Sequence, residues 1–283
     1  MDIGTQINQY RIVEHIGRGG MADVWSARDT RLNRMVAIKT IAHGLSPEVD
    51  PISLFKQEAQ TIAQMEHPHI LPIHDFGEFE GQLYIVMRYV AGGSLEDLLE
   101  RGSMPIPEVI RIGTAIAQAL DHAHSNDVVH LDLKPPNILL DSNDAPYLAD
   151  FGLAAVMNPE GRAQNPGSGT LLYMAPEQLM ADELDHRADI YSFCVMLFHL
   201  LTGQLPFDSL VPLSLKQIQE NQDIPPLASA GGEYPAELRL HPQAGHRPRP
   251  GRPPRQHPRP HARSRGCAQT GWGGDTARPV CCS

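Results

Sequence analysis

The sequence predicts an α+β protein with a strand-rich N-terminal lobe and a mainly helical C-terminal lobe. Residues 8–41 alternate short apolar and β-branched runs with Gly, Asp and Asn, a pattern typical of strands joined by turns. Beyond Gly92 and Gly93 the apolar residues recur at helical spacing. We therefore expect an N-terminal lobe over residues 8–90 and a C-terminal lobe over residues 91–232.

The N-terminal lobe is predicted to contain three strands, one helix and a further strand. The three strands are expected at 10–16, 22–27 and 35–41. Residues 51–66 change to a helical period, with their apolar side chains on one face, and the two prolines that follow end the helix. A second apolar and β-branched run at 83–87 predicts the fourth strand.

The C-terminal lobe is predicted to be built on three helices. Their apolar spacing places them at 94–101, 106–126 and 186–202. Between the second and third helices, the polar segment 130–137 is followed at once by the apolar run 138–140. We expect this segment to be a loop held between ordered elements.

Composition excludes several classes of protein. The chain has 283 residues (31.2 kDa), and with 41% hydrophobic and 20% charged residues it is not wholly disordered. Only Cys194 lies outside the last 51 residues, so neither a disulfide framework nor a paired-cysteine zinc site is expected. There is no apolar run of about 18 residues and no signal segment, so we expect a cytoplasmic protein without a membrane segment.

The charge is unevenly distributed along the chain. The net charge is −10, but the last 51 residues carry nine arginines and three acidic residues, which leaves −16 on the first 232. An acidic body argues against nucleic acid as a partner. The segment 233–283 also contains nine prolines and six glycines, and we expect it to be a disordered tail.

A glycine-rich stretch lies between the first two predicted long strands and contains Gly17, Gly19 and Gly20. Glycines allow backbone amides to approach a phosphate closely, although an ordinary glycine-rich hairpin has the same pattern. A dinucleotide-binding loop is not expected, because a strand rather than a helix follows. Lys39 ends the next strand among apolar neighbours, and Glu58 on the following helix is available to pair with it.

The loop 130–137 contains the sharpest local signal. Asp132, Lys134 and Asn137 supply a carboxylate, an ammonium and an amide at a spacing that allows them to converge. Such a set suits deprotonation of a hydroxyl, neutralisation of a phosphate and coordination of a hard cation. Asp150 follows 18 residues after Asp132, and Mg²⁺ commonly takes one or two such side chains together with phosphate oxygens. Asn137 and Asp150 are therefore candidate magnesium ligands.

Taken in this order, these motifs resemble the eukaryotic-type protein kinase family, and most closely its bacterial serine/threonine kinases. The resemblance covers about residues 8–225 and includes the glycine loop and the motifs at 36–39, 130–137, 150–152 and 175–177. It implies a two-lobed protein kinase fold with an incomplete C-terminal lobe. It also implies transfer of the ATP γ-phosphate to Ser/Thr hydroxyls of proteins, with ATP and Mg²⁺ bound.

The resemblance implies a role for each matching catalytic residue. Lys39 binds the α- and β-phosphates and pairs with Glu58, Asp132 is the catalytic base, and Lys134 contacts the transferred phosphate. Thr170 is expected to bond the catalytic Asp and Lys, which together with Lys134 favours Ser/Thr over Tyr as the acceptor. A nucleotide-binding pseudokinase and an inactive truncated kinase fragment are the alternatives.

The resemblance also implies the residues of the nucleotide pocket. Asn137 and Asp150 hold Mg²⁺. Apolar side chains sandwich the adenine, one methionine guards the back of the pocket, and two backbone positions hydrogen-bond the base. The sandwiching side chains are Ile16, Val24, Ala37 and Leu139. The methionine is Met87, and the two backbone positions are Arg88 and Val90.

Leu131 departs from the family pattern. Most members have Arg at this position, which receives the phosphate of the activation loop. Although Ser168 and Thr170 could be modified, we expect activity that depends little on phosphorylation within 151–177.

The last 51 residues are the second departure. The family continues with two further helices and an Arg that pairs with the Glu at position 177, and nothing after Gly232 resembles them. Read one base later, the codon classes of residues 246–257 permit the family's Asp-Pro-x-x-Arg-Pro segment. We therefore expect a single-base insertion near codon 232, the alternative being a genuine basic tail that binds nucleic acid or an anionic surface.

Overall fold

Among the described residues, the N-terminal part of the chain is built mainly of strands and the C-terminal part mainly of helices. The computed structural model describes residues 1–18, 22–41, 59–60, 62–151, 171–180, 184–207, 209, 211–230 and 234. All of them belong to one structural unit, Met1–Arg247.

The N-terminal lobe contains a six-stranded antiparallel sheet in the order β1-β2-β3-β4-β6-β5. The four predicted strands are confirmed, whereas the sequence analysis missed β1 and β5. The short β1 and the polar, glycine-containing β5 lack the apolar run that identifies a strand. The strands are β1 Gln6–Ile7, β2 Tyr10–Arg18, β3 Ala22–Asp29, β4 Arg34–Ile41, β5 Ile73–Phe79 and β6 Gln82–Arg88.

The register of this sheet decides which side chains face the site. Val24 lies opposite Lys39, which lies opposite Ile85, while Ala37 lies opposite Met87. Opposed residues of antiparallel strands share a face, and so do residues two apart on one strand. These five side chains therefore form one face of the sheet.

The other face of the sheet packs into a separate apolar cluster. Its members are buried and come mainly from β2, β3, β4 and β6. They include Tyr10, Ile12, Trp25, Ala27, Val36, Ile38, Tyr84 and Val86. Of the predicted helix 51–66, residues 59–60 and 62–63 are helical, whereas residues 64–66 are described and are not helical, so the helix ends before the predicted boundary. Residues 51–58 and 61 lie outside the described residues.

Among its described residues, the C-terminal lobe has four α-helices and a two-stranded hairpin. The helices are α1 Leu95–Leu99, α2 Ile106–Ser125, α3 His186–Thr202 and α4 Pro212–Asn221, and the hairpin strands are β7 Ile138–Leu140 and β8 Pro146–Leu148. The helices predicted at 106–126 and 186–202 are confirmed to within one residue, and α1 is a shorter form of the one predicted at 94–101. Helix α4 was not predicted. None of the helices in the described residues is long and apolar enough to cross a membrane.

The ends of the helices have recognisable causes. Ser94 caps α1 and forms a capping box with Asp97. Asp185 accepts a hydrogen bond from the amide of Arg187 at the start of α3, and Gly203 ends that helix in the left-handed conformation with φ of 69°. The residues of α2 and α3 that face each other form the main apolar core of this lobe.

The segment between β6 and α1 is joined to the hairpin by backbone hydrogen bonds. The amide of Gly92 donates to the carbonyl of Leu140, and the amide of Leu140 donates to the carbonyl of Gly93, both at 2.9 Å. A Cβ atom at position 92 would lie 2.4 Å from the Leu140 carbonyl oxygen, so only glycine fits there.

Tyr234 lies just beyond the boundary proposed at residue 232. Its hydroxyl donates to the Leu201 carbonyl at 2.8 Å, and its ring packs against the core of the C-terminal lobe. The remainder of the predicted tail lies outside the described residues, so the division at 232 stays a prediction.

Candidate active site

The loop 130–137 connects the end of α2 to β7, and His130 anchors it. This side chain is fully buried, and its ring lies edge-on to Phe151 with the centroids 4.8 Å apart. Its Nε2 lies 2.8 Å from the Ala149 carbonyl oxygen, and its Nδ1 lies 3.2 Å from the amide nitrogen of Asp132. Because a carbonyl only accepts and an amide only donates, the ring carries its proton on Nε2.

Asp189 binds the backbone of the same loop. It lies in the first turn of α3, is fully buried, and accepts from the backbone amides of His130 and Leu131, each at 2.8 Å. It also accepts from Nε2 of His124 at 2.8 Å. The sequence analysis placed Asp189 only at the start of a helix and gave it no role. An acidic residue in the first helical turn was the available signal.

Two of the predicted catalytic residues and one predicted magnesium ligand meet within this loop. Nζ of Lys134 lies 2.8 Å from Oδ2 of Asp132. Nδ2 of Asn137 donates to the same oxygen at 3.0 Å and to the Asp132 carbonyl at 2.7 Å. The side chains of Asp132 and Lys134 are about one-fifth exposed, so they can be reached by a substrate.

Lys39 and Asp150 meet at the interface between the lobes. Nζ of Lys39 lies 2.8 Å from Oδ2 of Asp150. Burial opposes ionisation of Asp150, but the charge and hydrogen bond of Lys39, with smaller contributions from His130 and Lys134, hold the pKa of Asp150 below its usual value. Glu58, the expected partner of Lys39, lies outside the described residues.

The predicted adenine-binding side chains lie largely in one apolar cluster. Ala37 and Met87 are buried in it, and Val24, Val90 and Leu139 pack against it. This cluster joins the sheet face described above to β7, so it has an apolar wall from each lobe.

Ile16 and Arg88 are not among the residues of this cluster. Ile16 is 43% exposed and lies where the register between β2 and β3 shifts, so a bulge directs its side chain. The amide of Arg88 donates to the Pro72 carbonyl at 3.0 Å, so a base could use only the carbonyl of Arg88. Gly17 pairs with Val24, whereas Gly19 and Gly20 lie outside the described residues.

The donor set at the site fits Mg²⁺. Since Nδ2 of Asn137 is used on Asp132, its amide oxygen points the other way and is the atom left to bind a cation. Asp150 adds a carboxylate that is kept ionised. In the part of the chain that the structure describes, no three His, Cys, Asp or Glu side chains form a metal site. Two oxygen donors completed by phosphate oxygens and water are the usual arrangement for Mg²⁺.

The segment 171–180 adds two residues that the sequence analysis did not place in the site. Nε2 of Gln178 donates to the Leu131 carbonyl at 2.8 Å, and its Oε1 accepts from the Ala175 amide at 2.9 Å. Oε2 of Glu177 is buried and has no hydrogen-bond partner among the described residues. Thr170, with most of the segment 151–177, lies outside the described residues.

Comparison with known proteins now decides the family. The family model described as protein kinase domain matches residues 10–237. The chain belongs to the protein kinase family. This confirms the predicted two-lobed kinase fold and the resemblance on which it rested.

Bacterial serine/threonine kinases are among the similar sequences. The chain is 42% identical over 224 residues to the serine/threonine-protein kinase PknE of Mycobacterium bovis, an alignment covering 78% of this kinase chain and 39% of PknE. It is 44% identical over 218 residues to PknF of Mycobacterium tuberculosis, covering 74% of this chain and 46% of PknF. The chain therefore spans less than half the length of these relatives.

Solved structures show the same fold. The crystal structure of the Mycobacterium tuberculosis PknI kinase domain aligns with a TM-score of 0.62 at 29% identity, over 87% of this kinase chain and 96% of the chain of that kinase domain. A double mutant of that domain gives 0.66 at 30% identity, over 82% and 85% of the respective chains.

Proposed function

We propose that this chain transfers the γ-phosphate of ATP to serine and threonine hydroxyls of protein substrates. The observation that carries the proposal is that Lys134 and Asn137 both contact Oδ2 of Asp132. The ion pair of Lys39 and Asp150 lies nearby. The relatives named serine/threonine-protein kinases support it.

Asp132 is the proposed base for the acceptor hydroxyl. Its backbone amide is bonded to His130, and its Oδ2 is held by Lys134 and Asn137, so the carboxylate is oriented before substrate binds. Its partial exposure allows a hydroxyl to reach it, and the carboxylate takes the hydroxyl proton as the new phosphate bond forms.

Lys134 and Lys39 are the proposed cations for the phosphates. Lys134 lies beside the base and can neutralise charge on the phosphoryl group that moves toward the acceptor. Lys39 holds Asp150 in place and presents its remaining hydrogens to the α- and β-phosphates. Bound Mg²⁺, held by Asn137 and Asp150, would neutralise the developing negative charge on the phosphates.

The apolar cluster between the lobes is the proposed adenine site. Val24 and Ala37 cover one face of a flat ring, and Leu139 covers the other. Met87 closes the back of this site, and the Arg88 carbonyl with the backbone of Val90 would read the polar edge of the base. Such a site binds ATP through apolar contact and a few directed hydrogen bonds.

The preference for Ser/Thr over Tyr rests on Lys134 and Thr170. The contact of Nζ of Lys134 with Oδ2 of Asp132, the proposed base, supports this preference. The Thr170 hydroxyl is proposed to donate to Asp132 and to accept from Lys134. This arrangement would favour acceptor hydroxyls on short side chains such as Ser and Thr.

Phosphate transfer from radiolabelled Mg·ATP to myelin basic protein tests the proposal. We expect Asp132→Asn to lower kcat by about 10²- to 10⁴-fold while ATP binding, measured by calorimetry, is kept, because only the base is removed. Lys39→Met should abolish transfer and leave the protein folded. The matched control is Asp121→Asn on the exposed side of α2, which should transfer phosphate like the wild type.

The same experiment distinguishes the alternatives. ATP binding without transfer in the wild type would indicate a nucleotide-binding pseudokinase. Neither binding nor transfer would indicate an inactive fragment. Wild-type turnover by Asp132→Asn would show that the base is assigned to the wrong residue.

A further inference from the structure

Gln178 joins two segments that are distant in sequence. Its side chain is 8% exposed. The amide nitrogen donates to the carbonyl of Leu131 in the loop 130–137, and the amide oxygen accepts from the backbone of Ala175, three residues earlier in its own segment. The carboxamide of Gln178 therefore connects the loop 130–137, which supplies an acceptor, to the segment that contains Ala175, which supplies a donor.

The residue that Gln178 holds has a constrained backbone. Leu131 has a φ of 61°, in the left-handed region that residues with a branched side chain rarely adopt. Its amide is held by Asp189 and its carbonyl by Gln178. Because such a conformation persists only where its surroundings hold it, these two bonds set the direction in which the chain enters Asp132.

This connection requires no covalent modification. The Leu131 side chain is apolar and packs against the core of the C-terminal lobe, so it offers no charge to a phosphate on the segment 151–177. The bond from Gln178 is between neutral groups and is formed in the unmodified chain.

We propose that Gln178 is a positioning residue that aligns Asp132 through the backbone of Leu131, and that it couples the loop 130–137 to the segment 171–178 without a phosphate. The inference rests on the proposed kinase function. It adds the means by which the base is kept in place when the family's usual arginine is absent.

The chemistry of the two bonds predicts how substitutions rank. The position needs a donor toward Leu131 and an acceptor toward Ala175, which methionine lacks entirely. An ionised glutamate keeps the acceptor but turns an oxygen toward the Leu131 carbonyl. A protonated glutamate regains the donor, so Gln178→Glu can recover as the pH falls.

The charges near position 178 determine the pH at which this recovery occurs. Asp189 bonds the other end of the Leu131 peptide, Asp132 follows Leu131, and Glu177 precedes position 178. Two cations lie near these groups: Lys134 is paired with Asp132, and Arg187 interacts electrostatically with Glu177. The acidic neighbours and burial both favour the protonated form of a glutamate at 178.

The test measures kcat, the KM for ATP and the melting temperature of the 283-residue chain with Mg·ATP and myelin basic protein. Near neutral pH we expect Gln178→Met and Gln178→Glu to lower kcat by about 10- to 100-fold, as the loss of a buried hydrogen bond implies, with KM for ATP changed less than about twofold. On acidification, the ratio of Gln178→Glu to wild-type kcat should rise, whereas that of Gln178→Met should stay constant.

Two controls make the result decisive. Gln118→Met, on the exposed side of α2, should match the wild type, and Asp132→Asn marks the rate without the base. If the wild type is no faster than Asp132→Asn, the proposed function fails rather than this inference. Unchanged kcat in both Gln178 variants would overturn the inference. So would a loss of kcat accompanied by an equal loss of ATP binding and a lowered melting temperature, since that pattern indicates only disruption of the fold.

Discussion

Two acidic side chains in the C-terminal lobe differ in the hydrogen bonds that their surroundings provide. Asp189 is fully buried and accepts three hydrogen bonds, two from the backbone of the loop 130–137 and one from His124. Glu177 has a buried oxygen, Oε2, with no partner among the described residues. The nearby Tyr191 has a buried hydroxyl in the same condition.

The difference between Asp189 and Glu177 shows that a buried carboxylate stabilises neighbouring backbone only when it accepts hydrogen bonds from it. A carboxylate surrounded by N–H donors repays the cost of leaving water and fixes the groups that donate to it. A buried carboxylate oxygen that lacks a hydrogen-bond donor is destabilised, although the charge of Glu177 is attracted to Arg187. The charge of Glu177 is felt by its neighbours: the pKa of Tyr191 is raised by burial first and by Glu177 second.

Asp189→Ala should give the largest change in stability. It leaves the amides of His130 and Leu131 buried without an acceptor, so we expect a loss of about 3–5 kcal/mol in the free energy of unfolding. That is a large part of the roughly 5–15 kcal/mol typical of a domain. Urea denaturation would measure it, and Asp121→Ala on the surface of α2 is the control. A loss below about 1 kcal/mol would show that water replaces the carboxylate.

Glu177→Met should have the opposite sign. Removing a buried oxygen without a partner, while keeping the length of the side chain, should raise the free energy of unfolding by about 1–3 kcal/mol. Thermal melts of the wild type and variant would show it. A lower melting temperature in the variant would mean that Glu177 has a partner after all.

The same substitution also tests the expected insertion near codon 232. In a gene with one base removed there, an Arg partner would be restored, and Glu177→Met should then cost about 3–5 kcal/mol. A sign change between the two reading frames supports the insertion. The same sign in both would contradict it.

The pair of Lys39 and Asp150 gives a smaller, pH-dependent effect. Because Lys39 helps to lower the pKa of Asp150, the stability from this pair is complete above the unfolded pKa of about 4 and is lost as the pH falls through the lower folded value. We expect Lys39→Met to cost about 1.5 kcal/mol near neutral pH and less in acid. Denaturation at several pH values measures this, and a cost that stays constant or grows in acid would contradict it.

The sequence predicted those parts of the site whose chemistry is local. Asp132, Lys134 and Asn137 lie within six residues, so the loop that carries them brings them together. The long strands and the helices α2 and α3 were predicted because each has a clear apolar period. The predicted end of α3 at residue 202 agrees with the position of Gly203, which follows it.

The supports of the site could not be predicted because they depend on contacts across many residues. Asp189 lies 59 residues from His130, and Gln178 lies 47 residues from Leu131. No periodicity identifies which buried acceptor will face which amide. Strand β5 was missed for a related reason, since its place in the sheet comes from pairing with β6 rather than from its own composition.

The close contact at Gly92 has a mechanical consequence. The segment joining the lobes is held to the hairpin by the reciprocal backbone hydrogen bonds of Gly92 and Gly93 with Leu140. Backbone groups have no rotamers to exchange, so these bonds hold the proposed adenine-binding wall on β7 close to the segment that we propose hydrogen-bonds the base. A side chain at position 92 would act as a wedge between these two surfaces and change the width of the nucleotide pocket without altering any residue that lines it.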